Sequence, residues 1–321
     1  MAVNRPANPL SSPFDRTDED GYTWIKGNLH AHTTNSDGQA SPQERVDLYA
    51  DRGYGFLCLA DHNEITRIDS VSCPDGMVLI QGVELHPENP FGGMGHHFVA
   101  LNVDREVDSK RMPPQLVIDE VNEQGGSIWL AHPHWSSVKI MRDILPLHGF
   151  AGFEVFNSIC SCYGRGESSV HWDDWMELED RLYPALANDD CHSRDGQRGD
   201  TYRGWTMARV QERTPAAVVE ALEKGLSYSS TGPEIHDIQL RRVDEPGADV
   251  SVVEATVRSS EAQRVAAVCN KLGAEYREAG RTFETATFRL FPGSRWARFE
   301  VIGPDGSKAW SNPFDLTGLE R

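Results

Sequence analysis

The sequence predicts an α/β fold, a parallel sheet or barrel, followed by a small all-β unit of sandwich type. Three observations predict it. Short apolar runs alternate with helix signals over the first 235 residues, His and carboxylate residues fall at the ends of those runs, and from residue 236 the pattern turns β-rich. Strands alternating with helices of about 10–15 residues read as βα units with parallel strands.

The apolar runs cover residues 25–29, 56–60, 77–83, 98–103, 127–131, 150–156 and 185–187. Ser41-Pro42-Gln43-Glu44 is a capping box with proline at the first helical position. Pro114 opens a second helix through Leu116, Val117, Ile118 and Val121, and Gly125-Gly126 closes it. Thr214-Pro215 opens a third, which Gly225 ends. Beyond residue 236, segments 250–257, 264–268, 282–290 and 296–302 are β-rich, with turn signals such as Gly303-Pro304-Asp305-Gly306 between them. The expected division is therefore 1–235, with an irregular lead-in over 1–20, and 236–321.

The chain has 321 residues, 39% hydrophobic and 25% charged, the balance of a soluble globular protein. No stretch approaches the roughly 20 apolar residues that span a bilayer. The lead-in lacks the apolar core of an export signal, so a cytoplasmic protein is expected. A net charge of −18 argues against a nucleic-acid surface, because phosphate contacts need clustered Lys and Arg. The expected partner is a small-molecule substrate, and a homo-oligomer is left open. Six cysteines without an export signal read as free thiols. Cys58 lies in an apolar run, and the Cys160/Cys162 pair lacks a second pair at zinc-finger spacing.

His30-Ala31-His32 and then Asp37 follow the first run, Asp61-His62 the second and Glu84 the third. His96 and His97 precede the fourth, His132-Pro133-His134 follows the fifth, and Asp190-Cys191-His192 follows the run at 185–187. Residues i and i+2 of an extended strand share a side, so His30 with His32, and Asp190 with His192, converge. Barrel enzymes gather working residues at the C-terminal rim of the strands. His and carboxylate ligands without thiolates suit two or three divalent ions of Zn, Mn or Fe. A lone strand-end His is more often structural, but the repeated placement at run after run is not explained that way. Glu154 is a candidate to orient a ligand, and Asp61 and Asp189, turned away by strand alternation, read as local hydrogen-bonding groups. His134 shares a side with His132 and is a candidate substrate contact. His86, His148, His171 and His236 read as surface or structural residues.

The segment 27–38 resembles the first motif of the PHP (polymerase and histidinol phosphatase) family. Ala60-Asp61-His62-Asn63 is similar to its second motif, Ala131-His132-Pro133 to its third and segment 188–193 to its fourth, while Gly82-Val83-Glu84 matches its bridging-glutamate segment. Segment 228–235 is similar to the carbaryl-hydrolase-like (CehA/McbA) subgroup. The resemblance covers residues 24 to 235 and implies a distorted (β/α)7 barrel with up to three metals. It implies a first ion on His30, His32, Glu84 and Asp190. A second would share Glu84 and add His132 with His97, or alternatively His96; a third would take Asp37, His62 and His192. Some members carry His where this chain has Asp37.

The implied reaction is hydrolysis of a phosphate ester, with Arg194 holding phosphate oxygens, Arg165 and Arg203 as weaker choices, and His134 protonating the leaving group. Attack on a carbamate, ester or amide is the alternative, for which Trp135, Trp172 and Trp175 would line an aromatic pocket. A non-catalytic binding module is the third reading, and the complete ligand set argues against it.

Overall fold

The computed structural model describes residues 13–15, 21–87, 95–135, 144–194, 196–243, 252–276, 278 and 280–317. Most of the expected lead-in lies outside the described residues. The fold is mixed α/β around one large sheet of 14 strands. Its first nine strands are β1 (Thr23–Asn28), β2 (Phe56–Leu59), β3 (Val78–Leu85), β4 (Phe98–Leu101), β5 (Ser127–Leu130), β6 (Gly152–Asn157), β7 (Ala185–Asn188), β8 (Trp205–Val210) and β9 (Ser227–Ser230). Between them lie α1 (Pro42–Ala50), α2 (Pro114–Glu123), α3 (Ser158–Ser161), α4 (Ser169–Glu179) and α5 (Pro215–Glu223).

The helix ends follow their sequence signals. Ser41 Oγ accepts from the Glu44 amide, and Glu44 accepts from the Ser41 amide at 2.8 Å, satisfying two of the donors a helix start leaves open. Thr214 caps α5 through the Ala217 amide, and Gly125 and Gly225 leave α2 and α5 at φ +80° and +68°. Sequence periodicity misses α4, which buries Trp172, Trp175 and Met176. It also misses β9, Ser-Tyr-Ser-Ser, which is fully buried yet carries only one large side chain.

Strand direction decides what reaches each rim. β1, β2 and β3 are parallel, β4 is antiparallel to both β3 and β5, and β5, β6 and β7 are parallel again. β8 runs against β1 and β9. Thus β4 and β8 are reversed within a sheet whose other strands, from β1 to β9, share one direction. Gly82 on β3 permits the close approach of its neighbours, since a Cβ there would lie 2.4 Å from Cys58 Sγ and 2.6 Å from the Ala100 carbonyl.

The sheet curls until β7 returns beside β8 and β9. Past the ends of β1 and β7 the backbone closes the gap, the Asp190 amide donating to the His30 carbonyl (2.8 Å) and the His32 amide to that of Cys191 (3.0 Å); along β7 itself side chains close it. Thr206 Oγ1 accepts from the Ala187 amide (3.0 Å) and donates to its carbonyl (3.1 Å), Ser229 Oγ donates to the Ala185 carbonyl (3.0 Å), and Asn312 Oδ1 accepts from the Ala185 amide (2.9 Å). The Asn312 amide also donates to the carbonyls of Gly225 and Ser227.

Beyond β9 the described chain is all strand: β10 (Ile235–Val243), β11 (Val252–Ala262), β12 (Arg264–Cys269), β13 (Ala274–Tyr276), β14 (Phe283–Arg289), β15 (Trp296–Ile302), β16 (Lys308–Ser311) and β17 (Phe314–Asp315). β10, β11 and β14 form a separate three-stranded sheet. Its buried face (Ile238, Val253, Val257, Phe288) shares one apolar cluster with Val265, Phe299 and Val301 of β12 and β15. The large sheet nevertheless runs across residue 235, because β16 pairs with β9. Arg298, buried on β15, fixes this region to α4 through two bonds to Asp173 (2.6 and 2.7 Å). Among the described residues no helix is long and apolar enough to cross a membrane.

Asn312→Ala strips buried partners from one amide and from two carbonyls at the sheet closure. It should cost about 3 kcal/mol of unfolding free energy; an unchanged denaturant midpoint would contradict this account of the closure.

Candidate metal centre

Glu84, at the C-terminal end of β3, is completely buried and has six imidazoles around its carboxylate. Its Oε2 lies 3.4 Å from His30 Nε2, 3.5 Å from His32 Nε2, 2.6 Å from His62 Nδ1 and 3.3 Å from His86 Nε2. Its Oε1 faces His97 Nδ1 at 2.8 Å and His132 Nε2 at 3.2 Å. Asp190 Oδ1 approaches His32 Nε2 (2.9 Å) and His30 Nε2 (3.4 Å). Asp37, half exposed, meets His192 Nε2 at 3.2 Å and His62 Nε2 at 3.4 Å.

These side chains fall into overlapping sets whose ligand atoms lie within 4.8 Å of one another: His30, His32, Glu84 and Asp190; Glu84, His97 and His132; His32, Asp37, His62 and His192; and His62, Glu84 and His86. The first two coincide with the first ion's set and with the His97 choice for the second, and the third adds His32 to the expected trio. His96 is elsewhere, stacked on Phe98 with ring centres 5.7 Å apart. The reversal of β4 explains why a residue before its strand reaches a rim that the other ligands reach by following theirs.

Carboxylates and an arginine behind the rim hold it in shape. Glu154 on β6 accepts from His30 Nδ1 (2.8 Å), from the His132 amide (2.9 Å) and from the side-chain amides of Asn157 and Asn188, which leaves His30 Nε2 aimed at Glu84 and Asp190. Asp61 accepts from Thr33, Ser36 and Thr66, and Asp189 from Tyr49, Ser158 and the amides of Tyr202, Arg203 and Gly204. Arg45 of α1 is fully buried and donates to the carbonyls of His32 (3.0 Å), Ser193 (2.9 Å) and His192 (3.4 Å), binding together the two segments that carry the i, i+2 pairs. Sequence reasoning missed it, since one Arg on a helix reads as a surface charge. His132 and Asp190 sit at positive φ, +28° and +54°, a strain of the kind that concentrates at functional sites.

Two expectations need correction. His86 is not a detached structural residue: its ring stacks on His97 at 3.8 Å and its Nε2 joins the Glu84 group. Trp172 and Trp175 line no pocket, because both are buried in the apolar core, whereas Trp135 does stand at the site, 5.2 Å from the His132 ring and 5.8 Å from that of His97. Arg194 is turned outward, its guanidinium 3.2 Å from Glu44 with both side chains exposed. His134 joins none of the sets; its Nδ1 donates to the Glu167 carbonyl at 2.8 Å and its ring lies 5.5 Å from that of His171.

Burial opposes ionisation of Glu84 most strongly, yet the facing His30 and His97 imidazoles outweigh it and hold the carboxyl well below the usual range. Burial pushes His32 and His97 down to about 4, which keeps them neutral and able to donate a lone pair. His30 Nε2, His32 Nδ1, His62 Nδ1, His86 Nε2 and Glu84 Oε2 are all buried without a hydrogen-bond partner. Each such atom costs about 1–3 kcal/mol, and a shared divalent cation is what satisfies nitrogen and carboxylate lone pairs that face one another. The residues present therefore fit divalent metal ions.

No family model matches the chain. A stretch of 83 residues, 25% of this chain, is 40% identical to a 5'-3' exoribonuclease of Haemophilus influenzae, and it spans only 30% of that relative's length. Among solved structures, a two-domain protein from Bacteroides vulgatus that contains a predicted PHP-like metal-dependent phosphoesterase matches 97% of this chain and 99% of its own, with a TM-score of 0.52 and 16% identity. At that identity the likeness concerns architecture alone: the chain shares its fold with that neighbour.

Proposed function

We propose that this chain is a metal-dependent hydrolase of the PHP type, a distorted (β/α)7 barrel with a β-rich unit, which splits a phosphate ester with water. The observation that carries the reading is the buried carboxylate of Glu84, ringed by imidazoles of which His30 Nε2, His62 Nδ1 and His86 Nε2 face it without a hydrogen bond. The Bacteroides vulgatus neighbour, described as PHP-like and metal-dependent, supports the phosphate ester as the bond. A net charge of −18 opposes a long polyanion, so the substrate is small.

The sets that share Glu84 would hold two ions and the Asp37 set a third, which would supply Lewis acidity and lower the pKa of a bound water toward neutrality. The chain's own groups do the rest. Glu154 keeps His30 in one tautomer and orientation, and Glu84 ties the first two sets to one rigid strand end. Arg194 holds a phosphate oxygen after leaving Glu44, an exposed pair worth about 0–1 kcal/mol and therefore easily exchanged. His134, fixed through Nδ1 on the Glu167 carbonyl, hands a proton to the leaving oxygen from Nε2. The aromatic wall of Trp135 favours a second reading, an aryl carbamate or ester as substrate of the same cluster.

The deciding experiment is metal analysis per chain combined with rates on p-nitrophenyl phosphate, bis(p-nitrophenyl) phosphate and aryl carbamates; turnover of carbamates alone would replace the first reading by the second. His30→Ala or Asp190→Ala should lose metal and hydrolysis together, by more than about 100-fold, and full activity in either would refute the first set. Glu154→Gln should weaken metal retention against a chelator by about 10–100-fold, with no change refuting its orienting role. Arg194→Ala should raise KM for phosphate esters about 10-fold and leave carbamate turnover untouched. An unchanged KM would take Arg194 out of the site.

A further inference from the structure

We propose that His86 is a metal ligand of this cluster, forming with His62 and Glu84 a binding position that shares His62 with the Asp37 set. The inference rests on the metal cluster argued above, not on the identity of the bond it cleaves. Glu84-Leu85-His86 repeats at the end of β3 the i, i+2 spacing of His30-Ala31-His32 on β1, so both side chains leave the strand on one side.

The position is built. Asn63, in the left-handed region at φ +57°, accepts from the His86 amide at 2.8 Å and from Ser109 Oγ at 2.6 Å, while its own amide donates to the Glu84 carbonyl at 2.8 Å. The segment that carries His62 is thereby locked to the one that carries His86. The ring of His86 lies nearly parallel to that of His97 (13°) and 4.4 Å from that of His62. His86 Nε2 and His62 Nδ1 both aim at Glu84 Oε2, at 3.3 and 2.6 Å, and none of these three atoms makes a hydrogen bond. The 3.3 Å between His86 Nε2 and Glu84 Oε2 is the spacing of two donors that share one tetrahedral ion at about 2.0–2.1 Å.

His62 makes the position exclusive. Its Nδ1 points to Glu84 and His86, and its Nε2 points to Asp37 at 3.4 Å. A neutral imidazole has one lone pair, the other nitrogen carrying hydrogen. When Nδ1 ligates, Nε2–H faces the Asp37 carboxylate; when Nε2 ligates, Nδ1–H faces Glu84. One ion is therefore held either with His86 or with Asp37 and His192, and His86 sets the balance between the two.

The test uses Zn2+ alone on the metal-stripped full chain. Crystals soaked at increasing zinc should show an anomalous peak about 2.0–2.1 Å from His86 Nε2. In His86→Phe, which keeps the ring stack and removes the nitrogen, that peak should vanish and one zinc-binding step should weaken at least about 10-fold, the others holding. Zinc on the other sets with none at His86 overturns the inference, as does a His86→Phe titration that superimposes on the wild type. If the variant does not fold, the wild-type map decides. Zinc on no set removes the metal-cluster reading too, whereas zinc at His86 in a chain inert toward phosphate esters upholds this inference and removes only the phosphoesterase reading.

Discussion

The structure depends on one buried carboxylate. Glu84 has no access to water, and each of its oxygens faces imidazole nitrogens from several strands. An isolated ionised group in that position would be expelled or neutralised. It stays because the protein surrounds it with imidazoles, several of whose buried nitrogens face it without a hydrogen bond, an arrangement suited to shared cations. Gly82, two residues earlier, lets the neighbouring strands close in, Glu154 fixes the ring of His30 from behind, and Asn63 fixes the backbone of His86.

Much of this arrangement is legible in the linear chain because strand geometry has period two. His30/His32 and Asp190/His192 stand out as polar pairs directly after apolar runs, and nothing else about a soluble protein requires them there. The same rule applied to Glu84/His86 finds the additional imidazole, but His86 is followed by Pro87 and a different composition, and as a single residue it reads as loop. His97 against His96 is not decidable from spacing. Two adjacent residues point to opposite sides, and the choice depends on the direction and register of β4, which pairs Glu84 with Val99.

What the chain conceals has physical causes as well. Strand β9 is three serines and a tyrosine, whose burial is supported by hydrogen bonds and not by apolar area, so hydropathy gives no sign of it. Arg45 acts on backbone carbonyls, which have no signature in side-chain sequence. Trp172 and Trp175 are read equally well as pocket or as core until α4 is in place, and the helix turns both inward. The β-rich region is visible as strands, but its continuity with the large sheet, through β16 on β9, is a matter of long-range pairing.

The manner in which β7 meets β8 and β9 has a bearing on the ligands that β7 delivers. Every other join from β1 to β9 is a ladder of amides and carbonyls, whereas along β7 itself this one is spanned by the side chains of Thr206, Ser229 and Asn312. Asp190 and His192 follow β7 on a segment whose backbone is bonded to that of His30 and His32, so the two i, i+2 pairs keep one spacing whatever the side-chain joint does, while Asn312, contributed from beyond residue 235, anchors the other end of β7.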